Sequence, residues 1–364
     1  MKKHILSLDI TLILAVAFLM ASGIFALTSA TVETRKITIQ TFCATLGIIS
    51  MVVIAFWDYQ SISGKKNHIY LLCIVFLISV FIFGTGKEET GATSWIRLGH
   101  IGVQPSEFVK LLFALYLSCE ISEKIEKNTL NKPKSLLIFI LKSALIIGLV
   151  VMQNDTGTAL VFIFMLGLTL FISGISKKYI FIAIAAFLVL IPLFWFFLAD
   201  YQRDRILVFL NPQSDLSDAG YQVYLSKLAI SSGGILGKGY KNGAVNALSY
   251  LPEKDTDFIF SIIGEESGLI GTLYFTSLFL FLIIKLFYIT THAKDLQGKI
   301  LVTAICAMFI FHTIENVGMT IGLLPVTGIP LPFVSYGGSS MLSMSFGVGL
   351  ALSVRRKTYN LLNS

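Results

Sequence analysis

Charge is scarce in this sequence. Only 13% of its 364 residues are Asp, Glu, Lys or Arg, about half the share of an ordinary soluble domain. The composition is 55% hydrophobic and the mean hydropathy is +0.80, which excludes a soluble domain on a single anchor and implies several membrane spans. Cysteine is nearly absent. Cys43, Cys73, Cys119 and Cys306 are scattered through apolar stretches without CxxC spacing, so they read as small buried hydrophobes, not as a disulfide framework or a metal site. There is no Walker loop, dinucleotide fingerprint, HExxH or GxSxG, which leaves ATP-driven, nicotinamide, zinc-protease and serine-hydrolase chemistries without support. No internal repeat or low-complexity tract is present either, so an inverted-repeat transporter has no positive sign. Met1-Lys-Lys leads into an apolar run without a small-residue cleavage signature, and an uncleaved first helix is expected.

What the sequence has in quantity is long apolar runs. Ten are long enough to cross about 30 Å of hydrocarbon at ~1.5 Å per residue: 9–29, 37–56, 67–84, 105–122, 136–152, 158–175, 179–199, 258–283, 300–322 and 336–354. The expected fold is an all-α polytopic membrane protein, a single domain over 1–364, with a large extracytoplasmic loop at 200–257 between helices 7 and 8. The net charge of +7 asks for no nucleic-acid partner. Lys2, Lys3, Lys65, Lys66, the lysines between 124 and 134, Lys177, Lys178, Lys294, Lys299, Arg355, Arg356 and Lys357 fall on one side once the spans alternate. The positive-inside rule makes that side the cytoplasm. Both termini are then expected inside, and the loops near 31–36, 85–104, 154–157, 200–257 and 323–335 outside.

Those outward loops hold the unusual residues. Tyr250-Leu-Pro-Glu-Lys-Asp-Thr-Asp-Phe-Ile-Phe260 closes the one long polar interval and brings Glu253, Lys254, Asp255 and Asp257 to the mouth of a helix beginning near Phe258. A carboxylate at the edge of hydrocarbon is expensive unless something uses it. On position alone Asp257 reads as a helix cap, the commoner use of Asp at a helix start, or as a general base. Gln104-Pro-Ser-Glu-Phe-Val-Lys110 opens another helix, Pro105 suiting its first turn. Glu107 and Lys110, three apart, share a face; they either settle a helix end as an ion pair or wall a polar cavity. Trp95 suits an interfacial anchor or a platform for a sugar ring. Asp155 reads as a helix cap.

Within the long loop a helix is expected over 219–230, stopped by Ser231-Ser-Gly-Gly234. Gly233, Gly234, Gly237, Gly239 and Gly243 then mark a loop able to bring backbone close to a ligand. Arg203, Arg205, Lys227, Lys238 and Lys241 make this segment basic, which topology does not require. The readings are an anionic ligand, a lipid head group, or a solvated basic face. His312 and Glu315 read as a satisfied intramembrane pair. Residues 323–340 carry three prolines and three glycines and cannot form one continuous helix; irregular backbone near membrane depth is tolerated where it is buried in protein or lines a polar cavity.

Six ordered blocks carry a resemblance: Gly91-Ala-Thr-Ser-Trp-Ile96, Gln104-Pro-Ser-Glu-Phe-Val-Lys110, Gly220-Tyr-Gln222, Gly237-Lys-Gly239, Leu251-Pro-Glu-Lys-Asp-Thr-Asp-Phe-Ile-Phe260 with Gly264-Glu-Glu266, and Leu324-Pro-Val-Thr-Gly-Ile-Pro-Leu-Pro-Phe-Val-Ser-Tyr-Gly-Gly-Ser-Ser340. Over nearly its whole length the chain resembles the SEDS family (shape, elongation, division, sporulation) of polytopic bacterial membrane proteins. Val326-Thr-Gly-Ile-Pro330 is worded as in its RodA branch more than its FtsW branch. Two places depart from the family pattern. The usual Pro-Asp-Leu-Gly-Thr is Asn154-Asp-Thr-Gly-Thr158 here. The residue two before the family's catalytic aspartate, commonly histidine, is Asp255, which adds negative charge beside Asp257 and is expected to push its pKa up.

The resemblance implies a peptidoglycan glycosyltransferase that polymerises lipid II into glycan strands at the outer leaflet of the cytoplasmic membrane, serving cell elongation and shape. It implies a class B penicillin-binding protein as partner, supplying cross-linking and activation. It makes Asp257 the catalytic residue, a general base on the acceptor 4-hydroxyl, with undecaprenyl pyrophosphate leaving. Trp95, Glu107, Lys110, Arg203, Arg205, Lys238 and Glu253 are expected to bind substrate, the two arginines and Lys238 holding pyrophosphate. No cofactor is evident; Mg2+ or Mn2+ would share that task, although no metal-ligand spacing is visible. A lipid II flippase and a non-enzymatic scaffold for the penicillin-binding protein are the alternative readings.

Overall fold

A computed structural model describes residues 9–85, 93–98, 101–197, 203, 207, 209, 219–247, 251 and 253–362. Caps and prolines set where its helices begin. The Asp9 carboxylate accepts from the Leu12 N–H and starts α1, Ile10–Ala30. Next come α2, Thr34–Ala55, and α3, Lys66–Phe83. Prolines at the first turn open α4, Pro105–Glu126, and α5, Pro133–Met152, where a missing N–H leaves nothing unsatisfied. Asp155 caps α6, Thr156–Ile172, accepting from the Thr158 N–H at 3.0 Å. The chain continues through α7, Lys177–Phe197, α8, Ala219–Ser232, and α9, Ile259–His292. Asp295 caps α10, Leu296–Thr320, and α11 is Gly338–Leu362.

Each of the ten apolar runs coincides with a helix, α1 to α7 or α9 to α11. Six of the described helices (α1, α2, α3, α5, α9 and α10) are long and apolar enough to cross a membrane, and α6 is apolar but shorter. Their outward faces carry exposed Phe18, Phe25, Phe42, Leu71, Leu141 and Phe287, the surface of an all-α, multi-span membrane protein. One short hairpin departs from the helical pattern. Ile96–Leu98 (β1) pairs antiparallel with Ile101–Val103 (β2), where strands of three residues are too brief for a period-two signal in the sequence.

The central helix is α10. Its apolar stretch is 72% buried, and it packs on α4, α6, α9 and α11, while α2 lies along α11. The polar loops sort to two ends. At one end Tyr59 donates to Asp295, Ser63 to Gln297 at 2.5 Å, and Lys66 pairs with Glu123 at 2.6 Å and Lys357 with Asp58 at 2.9 Å. At the other end Lys36 pairs with Asp255 at 2.7 Å, Asn246 donates to the Ser29 carbonyl at 3.1 Å, and Gln104 donates to Asp155 at 2.9 Å. These contacts join loops that the alternation of spans places on the same side.

One helix is broken. Gly268 of α9 has φ 63° and ψ −157°, a conformation open essentially to glycine. The loop following α8 fills the gap. The Leu269 N–H donates to the Gly234 carbonyl at 2.9 Å, and the Lys238 and Gly239 N–H groups donate to the Glu265 and Glu266 carbonyls at 3.0 and 2.9 Å. Backbone groups freed by the break are thus satisfied by another segment, as an apolar surrounding demands. A Cβ on Gly268 would come within 2.4 Å of the Gly237 nitrogen. The glycine-rich loop does bring backbone into close approach, and what it approaches is α9.

Candidate active site

Asp257 sits at the end of a tight turn. The N–H groups of Thr256, Asp257 and Phe258 converge on the Glu253 carbonyl at 3.2, 3.0 and 3.1 Å. Glu253 holds a left-handed φ of 50° to close that turn, and its carboxylate accepts from the Thr256 hydroxyl at 2.9 Å. Because α9 starts after Phe258, Asp257 stands one residue before the cap position, not inside the first helical turn. It still lies at the positive end of the helix dipole, which favours an anion by about 0.3–1 kcal/mol. The side chain is partly exposed between buried Asp255 and buried Phe258.

The irregular segment between α10 and α11 walls this carboxylate. The Asn316 amide donates to the Asp257 carbonyl at 2.9 Å and to the Ile329 carbonyl at 2.8 Å. The Ser335 hydroxyl donates to the Thr256 carbonyl at 2.5 Å, and the Tyr336 N–H to the Asp255 carbonyl at 2.8 Å. Gly328, with φ 74°, faces the carboxylate itself: a Cβ there would lie 3.3 Å from Asp257 Oδ2. Only a residue without a side chain leaves that approach open.

Glu107 and Lys110 do pair, but in the interior and with a third member. Lys110 is 0% exposed, Glu107 2% and His312 1%. Lys110 Nζ donates to Glu107 Oε1 at 2.8 Å and to His312 Nε2 at 2.9 Å, and the Ser343 hydroxyl donates to Glu107 Oε2 at 2.9 Å. An ammonium only donates. His312 Nε2 therefore accepts, and Nδ1 carries the proton that goes to the Pro330 carbonyl at 3.1 Å. This corrects the sequence pairing of His312 with Glu315. Glu315 instead accepts from the Thr327 hydroxyl at 2.9 Å. The cluster runs from α4 through α10 to the loop that walls Asp257, so Glu107 and Lys110 are linked to that loop through His312.

The remaining expected residues are dispersed. Lys238 pairs at 2.9 Å with Glu265, which is 0% exposed and also accepts from the Val245 and Asn246 N–H groups at 3.0 and 3.2 Å. Arg203 donates to the Trp195 and Phe196 carbonyls at 3.0 Å each, at the end of α7. Trp95 is partly buried with its ring over Gly102, where a Cβ would lie 3.3 Å away. Arg205 lies outside the described residues. Lys254 donates to the Asn246 carbonyl at 2.6 Å, and burial holds its ammonium below the usual lysine range. Among the described residues no group of three His, Cys, Asp or Glu side chains is arranged to hold a metal ion. The sequence reading passed over Asn316, Gly328 and Lys36. Asn316 had a signal available, since an amide one turn from His312 on an apolar helix is itself unusual.

Residues 3–360 match the model of a protein family described as FTSW_RODA_SPOVE, cell cycle protein. The chain belongs to this family. The peptidoglycan glycosyltransferase MrdB of Escherichia coli K12 is 36% identical over 310 residues, covering 85% of this chain and 82% of that protein. The peptidoglycan glycosyltransferase RodA of Treponema pallidum is 29% identical, covering 94% of each. In structure this FtsW/RodA/SpoVE member is similar to a chain of a peptidoglycan synthase complex solved to show the coordination of polymerization and crosslinking, with a TM-score of 0.83, 28% identity and coverage of 97% and 98%. It is also similar to the rod shape determining protein RodA of Thermus thermophilus, with a TM-score of 0.73, 25% identity and the same coverage.

Proposed function

We propose that this protein is a peptidoglycan glycosyltransferase that polymerises lipid II at the outer leaflet of the cytoplasmic membrane, with Asp257 as the general base. The observation that carries the reading is the placement of Asp257: a partly exposed carboxylate at the positive end of α9, fixed through its backbone and faced by a glycine. In the reaction Asp257 takes the proton of the acceptor 4-hydroxyl as that oxygen bonds to the donor's anomeric carbon. The bond from that carbon to the pyrophosphate oxygen breaks, and undecaprenyl pyrophosphate leaves with the electron pair. Arg203 and Arg205 are the cations we assign to the departing pyrophosphate. Trp95 offers its ring to a sugar face. Glu253 shapes the turn that presents the base, and Glu107 and Lys110 hold the loop opposite. Lys238, already paired with Glu265, serves the scaffold in this reading.

Sidedness follows from charge. The end holding Lys65, Lys66, Arg355, Arg356 and Lys357 is assigned to the cytoplasm, which places Asp257 and both ends of the 323–337 segment outside. A class B penicillin-binding protein is the partner we assign, consistent with the synthase complex that contains the structurally similar chain. The test is polymerisation of purified lipid II in detergent, where no sides exist and a flippase would leave no product. Asp257→Asn, of equal shape, is expected to lower the rate by about 10²–10⁴-fold with the melting temperature kept. Long glycan strands made at the normal rate by that variant would rule out the base role.

A further inference from the structure

We infer that Asn316 is a positioning residue for Asp257. The inference rests on the base reading above and deepens it. Three side chains of α10 at helical spacing engage the irregular segment: His312 holds the Pro330 carbonyl, Glu315 the Thr327 hydroxyl, and Asn316 the Ile329 carbonyl. All three lie on one face, since i, i+3 and i+4 are neighbours on a helix. Asn316 differs from the other two because its amide nitrogen makes a second bond, to the carbonyl of Asp257 itself. One NH2 group thus spends both hydrogens on the two strands of backbone that flank the carboxylate. It ties the base to the loop whose Gly328 faces Asp257 Oδ2.

The oxygen of the same amide strengthens the case. Asn316 is 0% exposed, and its Oδ1 is buried without a hydrogen-bond partner among the described residues. A buried acceptor left unpaired is unfavourable. An apolar side chain of similar size would avoid that penalty, so what the position gains from an amide is its two N–H donors. Nothing in the contact requires Asn316 to touch substrate. It acts on the reaction through the backbone of Asp257, by setting where the carboxylate stands relative to the attacking hydroxyl, and small misplacements of a reacting group are costly in rate.

The experiment compares full-length variants in the lipid II polymerisation assay, reading kcat and KM separately. Asn316→Asp has the shape of the native side chain and no N–H donor. It is expected to lower kcat by about 10²-fold, the loss a displacement near 1 Å brings, with KM within about threefold of the native value. Asn316→Gln keeps both donors but shifts them by one methylene, and is expected to lower kcat by about 10-fold with KM unchanged. It carries the test should Asn316→Asp not fold. Thr303→Val, elsewhere on α10 and, among the described residues, hydrogen-bonded through its side chain only within its helix, is the control and should leave kcat unchanged. Native kcat in either folded Asn316 variant would overturn the inference, as would a loss confined to KM. Asp257→Asn run in parallel separates the two claims. If it polymerises normally, the base reading fails first; if it is inactive while Asn316→Asp retains native kcat, only the positioning role fails.

Discussion

Gly328 and Asp257 come from segments 71 residues apart and meet directly: a Cβ on Gly328 would sit 3.3 Å from the carboxylate oxygen. The backbone there is left-handed, φ 74°, which costs a residue with a Cβ about 1–2 kcal/mol. Gly328→Ala therefore meets two obstacles, one of conformation and one of space. The conformational strain should lower the thermal midpoint by a few degrees. The methyl group should displace the carboxylate or block what approaches it, lowering polymerisation by about 10–100-fold, beyond what the modest loss of stability explains. A variant that melts early but polymerises at the native rate would show that the glycine serves only the turn.

The buried cluster of Lys110, Glu107 and His312 predicts a different balance between stability and rate. Lys110→Met leaves the Glu107 carboxylate buried, with Ser343 as its remaining hydrogen-bond partner among the described residues. Removing one member of a buried pair is destabilising by about 3–5 kcal/mol, so a large fall in the thermal midpoint of the purified protein is expected. The double variant Glu107→Gln/Lys110→Met removes the stranded charge and should recover most of that stability. Activity should not recover with it, because His312 has lost the donor that fixes its ring against the Pro330 carbonyl. Thermal unfolding and polymerisation of the same three preparations check both halves.

Much of this arrangement was legible in the sequence because membrane helices announce themselves by composition. The ten apolar runs, the cap at Asp155, the proline start at Pro105 and the break in helix over 323–340 are local properties, and the structure has each of them where the sequence puts it. Asp257 was legible as an acid at a helix mouth. What was not legible depends on contacts between distant segments. His312 stands three residues from Glu315, and that spacing suggested a pair; its actual partners are Lys110, 202 residues away, and Pro330, 18 residues on. Lys238 read as a basic loop residue, and only the break at Gly268 brings its loop against Glu265. Gly328 counted only among the glycines that interrupt a helix, and nothing local indicated that its missing side chain faces Asp257.

The acidic residue at position 255 shows the same gap between local and tertiary reading. From sequence it adds a negative charge two residues from Asp257. In the folded chain that charge is met at 2.7 Å by Lys36 of α2, whose ammonium also lies 5.8 Å from the Tyr336 ring. Lys36 further contacts Glu33 at 3.3 Å. Lys36→Met should leave Asp255 uncompensated. A nearby like charge disfavours the ionised form of a carboxylate, so the acid limb of the polymerisation rate should move to higher pH. Asp255→Asn leaves the Lys36 cation in place and should move that limb to lower pH. The double variant Lys36→Met/Asp255→Asn should return it to the native position. Lys36 is 29% exposed at its side chain, so the displacements should be about one pH unit or less and should shrink as salt is raised. Rate–pH profiles of the four proteins at low and high ionic strength measure this directly, and superimposable profiles would mean that the Lys36–Asp255 pair has no electrical influence on the base.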